Sequence, residues 1–445
     1  MTVTVTATPS SPQYADTSLT ITATVAAGTA PQQCKGSATA DQTAAPNHPA
    51  IRPSRSLPCC FSCIRVNLSY AVGTMKYRLF VPLLLLLLTA SCASISTLPT
   101  VERSAPSVPA RQPEGTLSAP GLTGPTVPAL RSLAQAHGRY IGAAVAPGPL
   151  LSEPLYAETL AREFNMLTPE NALKFGRTRP SRERYTFQDA DAIVAFAQAN
   201  RMAVRGHTLV WHEVLPRWLT AGGFTRDELL AILHEHITTV VGRYRGRIVA
   251  WDVVNEALGN DGAWRNTFWY KTIGPEYVDL AFRWAREADP QARLFYNDYG
   301  GEGLGRKSDA VYALVQGMMQ RGVPIDGVGL QMHVRSDASP EPAEFAASLQ
   351  RLAGLGLEVH ITEMDVRIKG RVTEEELARQ ASICKDMLRV CFAAENCRAF
   401  VFWGFTDRHS WIPKYFPGWG AALPFDEAYR AKPAYRALME ALSTP

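Results

Sequence analysis

Short apolar runs rich in β-branched and aromatic residues recur eight times between residues 141 and 405, each followed by a polar loop and a helical stretch. Runs of this length, bounded by polar turns, are typical of buried strands. Strands that alternate with helices along a chain favour a parallel sheet, because parallel neighbours need a long crossover between them. The predicted strands are Ile141–Val145, Phe164–Thr168, Ala203–His207, Ile248–Val254, Arg293–Asn297, Gly327–Met332, Glu358–Thr362 and Ala399–Phe405.

Apolar residues with helical spacing fill the intervals between these runs. The predicted helices include Asp189–Asn200, Asp227–Tyr244, Pro275–Ala288, Ser308–Arg321, Pro340–Leu355 and Glu374–Phe392. Eight strand–helix units in roughly 315 residues fit a closed (β/α)8 barrel of the TIM type, whose usual size is about 250 residues with room for insertions. An open, doubly wound sheet is the structural alternative. The sequence therefore predicts an α/β protein with a TIM-barrel domain over residues 129–445.

Polar side chains follow seven of the eight predicted strands. They are Asn165, Glu170 and Asn171; His207, Trp211 and His212; Asn255 and Glu256; Asn297 and Asp298; Gln331 and His333; Glu363 and Asp365; and Trp403. The carboxyl ends of the strands in a TIM barrel meet at one face, and that face carries the active site. We therefore predict a polar mouth built from these residues.

Two of these residues are glutamates that end separate strands. Glu256 follows the fourth predicted strand, and Glu363 follows the seventh. Two carboxylates across a barrel mouth suit glycoside hydrolysis, in which one protonates the leaving oxygen and the other acts on the anomeric carbon as it becomes cationic. Either glutamate taken alone could equally form an ion pair at the rim.

The neighbours of Glu363 favour the catalytic interpretation. Gln331 and His333 are two residues apart on one strand and so share a face, and Glu363 and Asp365 do the same on the next strand. His333 can then contact Glu363 while Asp365 orients the imidazole. A carboxylate beside a protonated histidine stays ionised, as a nucleophile must. Glu256 is then expected to remain protonated, as a general acid must.

Six longer motifs carry a more specific signal. They are Thr168-Pro169-Glu170-Asn171-x-x-Lys174, Gly206-His207-Thr208-Leu209-Val210-Trp211-His212, Trp251-Asp252-Val253-Val254-Asn255-Glu256, Gly329-Leu330-Gln331-Met332-His333, Ile361-Thr362-Glu363-Met364-Asp365 and Val401-Phe402-Trp403-Gly404. In order and spacing, from about Arg131 to Leu442, the chain resembles the glycoside hydrolase family 10 endo-1,4-β-xylanases. The resemblance does not extend to residues 1–128.

The resemblance implies a retaining mechanism through a covalent glycosyl-enzyme, with Glu363 as nucleophile and Glu256 as acid/base. Carboxyl groups in such a mechanism lie about 5–5.5 Å apart. The resemblance also implies xylan or xylo-oligosaccharides as substrate. The implied substrate-binding residues are Glu170, Asn171, Lys174, His207, Trp211, Asn255, Gln331, Trp403 and Trp411. A disulfide between Cys391 and Cys397 is implied in the same way.

Departures and alternatives stay open at this point. Glu213 and the run Tyr299-Gly300-Gly301 differ from the family pattern where leaving-side sugars would bind, so the preferred chain length is open. The alternatives are the same retaining chemistry on another β-1,4-glycan and a non-catalytic glycan-binding barrel. The intact pair of Glu256 and Glu363 argues against the second, because binding alone does not need it.

Other functional classes find little support. The net charge of +4 is too small and too dispersed for a nucleic-acid-binding surface. The run Cys59-Cys60-x-x-Cys63 lacks a second ligand pair at zinc spacing. His234-Glu235-His236 is interpreted as the solvated face of a helix, so we predict no metal and no cofactor. We expect the protein to be a monomer.

The N-terminal region is predicted to direct export. Residues 75–92 combine a basic start, six consecutive leucines and small residues leading into Cys92, as in a bacterial lipoprotein signal. The apolar run is short of the roughly 20 residues that span a bilayer. Met75 is therefore expected to be the true initiator, with residues 1–74 a mis-called upstream or disordered segment. Residues 93–128 are rich in Ser, Thr, Pro and Gly and are typical of a linker.

We therefore expect an exported protein. It would be either a bacterial lipoprotein at the cell surface or in the periplasm, or a secreted enzyme. Contact with a membrane is expected only through a lipid on Cys92.

Overall fold

The computed structural model describes residues 128–443 and four strands from the preceding part of the chain. Those strands form two antiparallel pairs. Thr20–Ala27 pairs with Ala30–Ser37, and Leu68–Val72 pairs with Met75–Leu79. The predicted leucine run, the linker before residue 128 and Cys92 lie outside the described residues. The predictions for these segments therefore stay predictions.

Eight parallel strands close into a barrel, which confirms the predicted (β/α)8 fold. They are β1 (Tyr140–Val145), β2 (Met166–Pro169), β3 (Ala203–Val210), β4 (Ala250–Asn255), β5 (Arg293–Asp298), β6 (Gly327–Leu330), β7 (Glu358–Lys369) and β8 (Cys397–Phe402). Each strand pairs with the next, and β8 returns to pair with β1. Because all eight strands run in parallel, their carboxyl ends meet at one opening.

Helices fill the connections and cover the outside of the barrel. They lie at Leu130–Ala136, Pro147–Ser152, Pro154–Glu163, Phe175–Thr178, Gln188–Ala199, Arg217–Thr220, Arg226–Arg243, Phe268–Ile273, Glu276–Ala288, Arg306–Gln320, Pro342–Gly354, Glu374–Ala393, Ile412–Tyr415 and Pro433–Ser443, with a 3₁₀ turn at Asp407–His409. The six predicted helices all appear, with ends shifted by two residues at most. Within the part of the chain that the structure describes, none of the helices combines the length and apolar character that crossing a bilayer requires.

The helix Arg226–Arg243 shows how local sequence sets these elements. The hydroxyl of Thr225 accepts a hydrogen bond from the backbone N–H of Glu228, whose carboxylate accepts one from the N–H of Thr225 in return. This reciprocal cap satisfies N–H groups that a helix start leaves unpaired.

The same helix corrects one interpretation of the sequence. His234 and Glu235 are exposed as predicted, but His236 is fully buried and stacks on Phe175 at 3.9 Å between ring centroids. Burial lowers the pKa of His236 to about 3, so its ring is neutral in the core. This His-Glu-His run is therefore divided between solvent and core, because residues two apart on a helix point in different directions.

The sixth strand is shorter than the predicted Gly327–Met332. It ends at Leu330, because Met332 adopts a left-handed φ of 62°. The N–H of Met332 donates to the buried carboxylate of Glu302 at 2.8 Å instead of to a neighbouring strand. A short strand, His333–Arg335, then resumes the pairing with β7.

The seventh strand is longer than the predicted Glu358–Thr362 and runs to Lys369. The extension pairs with His333–Arg335 on one side and with the two-residue strand Trp419–Gly420 on the other. Both partners come from distant parts of the chain, so the local apolar pattern could not indicate the extension.

Two glycines of β6 make room inside the barrel. A Cβ on Gly327 would lie 2.4 Å from the ring of Phe295, and a Cβ on Gly329 would lie 2.2 Å from Oδ1 of Asn297. Heavy atoms do not approach this closely, so a side chain at either position would displace its neighbour. The bare backbone of β6 thus leaves the space that Asn297 occupies.

The packing of β3 against β4 gives a test of the fold. A Cβ on Gly206 would lie 2.2 Å from the fully buried indole of Trp251. We expect Gly206→Ala to lower the free energy of unfolding by about 1–3 kcal/mol, measured by urea denaturation, because overpacking a core strains it.

Gly242→Ala is the matched control, since a Cβ on this helical glycine meets nothing within 4 Å. It should leave stability unchanged or raise it by up to about 1 kcal/mol. Equal stability of the two variants would contradict the packing described here.

Candidate active site

The predicted residues meet at the carboxyl ends of the strands in one connected set. Hydrogen bonds join Gln331, Glu256, Asn255, Asn297, Glu363, His333, Asp365 and Trp411 in an unbroken series. Ring contacts then extend the set from His333 to Trp403 and from Trp403 to His207. The polar mouth that the strand ends predicted is therefore present in the structure.

Glu363 is the buried carboxylate of this set and is only 5% exposed. Its Oε1 accepts a hydrogen bond from Asn297 Nδ2 at 2.7 Å, and His333 Nε2 lies 3.1 Å from its Oε2. Burial alone raises the pKa of Glu363. The hydrogen bond from His333 and the electrostatic effect of the His207 and His333 rings outweigh it, so the pKa lies below its ordinary value. Glu363 is therefore ionised at neutral pH.

His333 bridges two carboxylates, as the strand spacing predicts. Its Nδ1 lies 2.7 Å from Oδ2 of Asp365, which also accepts a hydrogen bond from the indole N–H of Trp411 at 2.9 Å. Burial lowers the pKa of His333, but Asp365 and Glu363 together raise it to about 10. A ring that stays protonated at neutral pH can donate to both carboxylates at once.

Glu256 lies on the opposite side of the mouth and is half-buried. It follows β4 with a left-handed φ of 56°, a strained conformation for a residue with a side chain. Its backbone N–H donates to the carbonyl of Asn297 at 2.9 Å, which holds that conformation. Its Oε1 accepts hydrogen bonds from Gln331 Nε2 at 3.0 Å and Asn255 Nδ2 at 3.2 Å.

Asn297 links the surroundings of both glutamates. Its Nδ2 donates to Glu363 and, at 2.8 Å, to Oδ1 of Asn255, while its Oδ1 accepts from the hydroxyl of Thr362 at 2.7 Å. The side chain is fully buried and uses both amide protons in these bonds. The sequence marked Asn297 only as a polar strand end. Its hydrogen-bond partners are 42 and 66 residues away in the sequence, so no local pattern could predict these bonds.

A buried ion pair inside the barrel holds His207, and the sequence analysis did not predict this pair. Nδ1 of His207 lies 3.0 Å from Oδ2 of Asp252, and Asp252 forms an ion pair with the fully buried Arg205. Burial raises the pKa of Asp252, but the charge of Arg205 and the hydrogen bond from His207 bring it below its ordinary value. Asp252 is therefore a fixed anion that orients the ring of His207.

Lys174, Asn171 and Glu170 form a second polar group beside two aromatic walls. Lys174 Nζ donates to Asn171 Oδ1 at 2.9 Å, and Asn171 Nδ2 donates to Glu170 Oε1 at 3.1 Å. The ammonium lies 4.8 Å from the ring centroid of Trp211 and 5.8 Å from that of Trp403. Burial lowers the pKa of Lys174, and the nearby carboxylates, Glu363 first, oppose this.

The two departures from the family pattern lie near Glu256. Burial and the nearby carboxyl group of Glu256 raise the pKa of Glu213. The hydroxyl of Tyr299 accepts a hydrogen bond from Arg265 at 2.8 Å, and Arg265 also donates to the backbone carbonyl of Glu256 at 3.1 Å. Both departures therefore border the side of the mouth that carries Glu256.

The predicted cysteine pair is joined in the structure. Cys391 and Cys397 form a disulfide with a Cα–Cα distance of 5.2 Å. Cys384 is a buried free thiol, and burial raises its pKa to about 12. Across the described residues, no group of three or more His, Cys, Asp or Glu side chains is arranged to hold a metal ion.

This arrangement can carry out acid and nucleophilic chemistry on one bond. Glu363 is ionised and held by two donors, while Glu256 is half-buried with one carboxylate oxygen bonded to two amides. Indole rings beside the carboxylates offer apolar faces to the C–H faces of a sugar.

Comparison with known proteins agrees with this geometry. The model of glycosyl hydrolase family 10 matches residues 129–441. Endo-1,4-beta-xylanase B of Thermotoga neapolitana is 45% identical over 314 residues, which cover 70% of this chain and 90% of that protein. Native xylanase 10B of Thermotoga maritima is a structural neighbour with a TM-score of 0.69 and 47% identity, over 71% of this chain and 98% of that one. Xylanase 10B of Thermotoga petrophila RKU-1, in complex with xylobiose, has the same TM-score of 0.69 and 47% identity, over 71% and 97% of the two chains.

The hydrogen bond from Asn297 to Glu363 predicts a pH effect. Removing the donor in Asn297→Ala should raise the pKa of Glu363, because a carboxylate loses a bond that favours its charged form. The acid limb of kcat/KM should then move up by about one to two pH units, since a hydrogen bond to a charged group is worth about 1.5–3 kcal/mol.

Thr362→Val is the matched control for this variant. It removes a hydroxyl that bonds to Asn297 and leaves the donor to Glu363 in place. Its acid limb should therefore move less. An acid limb unchanged in folded Asn297→Ala, as checked by thermal melting, would contradict the role of this amide.

Proposed function

The chain belongs to glycosyl hydrolase family 10, and from this premise we propose that it is an endo-1,4-β-xylanase that cleaves internal β-1,4-xylosidic bonds with retention of configuration. One observation supports this most directly. A buried, ionised carboxylate with two donors, Glu363, shares a hydrogen-bonded network with a half-buried carboxylate, Glu256, at the barrel mouth. Retaining hydrolysis needs two carboxyl groups at one site, one that attacks the anomeric carbon and one that gives and then takes a proton.

In the proposed mechanism Glu256 protonates the glycosidic oxygen while Glu363 attacks the anomeric carbon. The C–O bond to the leaving chain breaks, and a covalent glycosyl-enzyme forms on Glu363. Glu256, now a carboxylate, takes a proton from water, and that water attacks the anomeric carbon from the side the leaving chain vacated. The bond between the anomeric carbon and Glu363 breaks, which restores the Glu363 carboxylate and leaves Glu256 protonated. Two inversions at one carbon give net retention.

His333 and Asn297 support the nucleophile in this mechanism. One donor holds each oxygen of Glu363, so the carboxylate cannot rotate away from the anomeric carbon. Asp365 keeps His333 protonated, and Trp411 fixes Asp365 in turn. Fixed donors of this kind pay no reorganisation cost during the reaction.

The remaining mouth residues are proposed to bind the sugar chain. Glu170, Asn171 and Lys174 would contact the sugar two places to the non-reducing side. His207 and Asn255 would hold the sugar being cleaved, with Asn255 at its 2-hydroxyl and Gln331 beside Asn255. The aromatic walls would be Trp211, Trp403 and Trp411. Hydroxyl groups would meet the polar side chains while C–H faces pack on the indoles. Since all these residues come from one chain, we propose that a monomer is sufficient for activity.

The configuration of the first product tests this function. We expect ¹H NMR during hydrolysis of xylan to show the β-anomer first, with the α-anomer growing only at the rate of mutarotation. An α-anomer that appears first would contradict retention. Hydrolysis of β-1,4-glucans without hydrolysis of xylan would contradict the proposed substrate.

The acid role of Glu256 gives a prediction on leaving groups. Glu256→Ala should lower kcat/KM on xylan by about 10²–10⁴-fold, because general acid catalysis contributes that much. The rate of glycosyl-enzyme formation from a nitrophenyl xylobioside should fall far less, since nitrophenolate leaves without a proton.

Glu213→Ala is the matched control, since it removes a neighbouring carboxylate that is more exposed than Glu256. It should change the rates on the two substrates by similar factors. A Glu256→Ala variant that loses both activities equally would show that Glu256 is not the acid.

We also propose that the protein is exported and anchored by a lipid on Cys92. The basic start, the six leucines and the small residues before Cys92 support this. Mass spectrometry of the native protein should find a lipid-modified Cys92 at the N-terminus and no peptides from residues 1–74. Peptides from residues 1–74 in the mature protein would contradict the proposed start at Met75, and a free N-terminus after residue 92 would indicate secretion instead.

A further inference from the structure

The strand that carries Glu363 continues outward into a row of positive charges. Glu363, Asp365 and Arg367 are alternate residues of β7, so their side chains share one face of the strand. The neighbouring short strand sets His333 beside Asp365 and Arg335 beside Arg367. The face that holds the proposed nucleophile thus ends in two adjacent arginines, about 13 Å along the strand from Glu363.

These arginines gather with a lysine around one indole ring. The charged groups of Arg335, Arg367 and Lys369 lie 5.5, 5.5 and 5.7 Å from the ring centroid of Trp419. Arg367 also lies 4.4 Å from the ring centroid of Phe416. We call Arg335, Arg367, Lys369 and Trp419 the cationic cluster.

Neighbouring carboxylates balance the positive charge of the cationic cluster only in part. Arg335 forms an ion pair with Asp337 at 2.7 Å. Within residues 128–443, Arg367 and Lys369 have no carboxylate within ion-pair distance, and the buried Nε of Arg367 has no hydrogen-bond partner. Burial lowers the pKa of Arg367, and Asp365 opposes this. Arg367 as a whole is only half-buried, so its charge is available to a carboxylate from outside the fold.

Ring contacts connect the cationic cluster to the active site. The ring of Phe416, which lies against Arg367, is 5.5 Å from that of Trp411, and Trp411 is 5.0 Å from the ring of His333. His333 in turn contacts Glu363. Packed rings therefore connect the cationic cluster to the wall of the mouth.

We propose that the cationic cluster binds a carboxylated sugar, a uronic acid side group carried by the xylan chain in the mouth. A guanidinium forms two parallel hydrogen bonds with a carboxylate, and Trp419 offers an apolar face for the sugar ring. A neutral side group would gain the ring contact without the charge contact. The inference rests on the proposed function and specifies which decorated substrate the enzyme prefers.

Two matched substrates test the inference. One is a xylo-oligosaccharide with a single 4-O-methylglucuronosyl group, and the other is the same compound with its carboxyl reduced to an alcohol. Wild-type protein should give a kcat/KM about tenfold higher on the acidic compound, and added salt should reduce the difference. Arg367→Gln should lose about tenfold on the acidic compound and little on the reduced one.

Further variants separate charge from packing. Arg367→Lys keeps a positive charge and should keep part of the preference. Lys369→Gln removes the charge of an exposed side chain and should reduce the preference. Arg321→Gln is the control, because it removes an exposed arginine that pairs with Asp279 in the helix layer. It should leave the preference unchanged.

Two results would overturn the inference. Equal kcat/KM of wild-type protein on the acidic and reduced compounds would show that no carboxylate is recognised. Equal losses of Arg367→Gln on both compounds would assign Arg367 a packing role only. The undecorated xylo-oligosaccharide tests the proposed function separately. If the wild-type protein did not cleave it, the proposed xylanase activity itself would be wrong.

Discussion

The buried amide of Asn297 is the interaction on which the arrangement of the mouth depends. It donates to Glu363 and to Asn255, and the backbone carbonyl of the same residue accepts the N–H of Glu256. One residue on β5 therefore sets the positions of groups on β4 and β7. The amide fits only because Gly329 has no side chain, so the spacing of the two glutamates depends on a glycine that contacts neither of them.

Charged groups deeper in the barrel support the residues of the mouth. Arg205 pairs with Asp252, and its guanidinium also lies 2.6 Å from Nδ1 of His360, whose Nε2 is 3.0 Å from Glu358. Burial lowers the pKa of His360 to about 4, so its neutral ring can accept from Arg205 and donate to Glu358. Buried charges are costly unless they are paired and hydrogen-bonded, as these are. The fold thereby fixes the orientation of His207.

The sequence predicted what local patterns encode. Apolar runs located the strands and helices, and the period of two along a strand placed His333 between Glu363 and Asp365. The patterns could not indicate contacts made across long stretches of chain. The break at Met332 depends on Glu302, the extension of β7 depends on Trp419–Gly420, and the role of Asn297 depends on partners from two other strands. Arg205 and Asp252 lie within apolar runs. The pattern of those runs predicts strands but not the ion pair between these two residues.

Trapping the covalent intermediate tests the central claim most directly. The reagent is a 2-deoxy-2-fluoro xylobioside with a good leaving group. The fluorine destabilises the cationic transition states of both steps and slows both. The good leaving group speeds only the first step, so the glycosyl-enzyme accumulates. Intact-mass analysis should show one added disaccharide, peptide mapping should place it on Glu363, and Glu363→Gln should not be labelled. A label on another residue, or an active enzyme that never takes a label, would contradict Glu363 as the nucleophile.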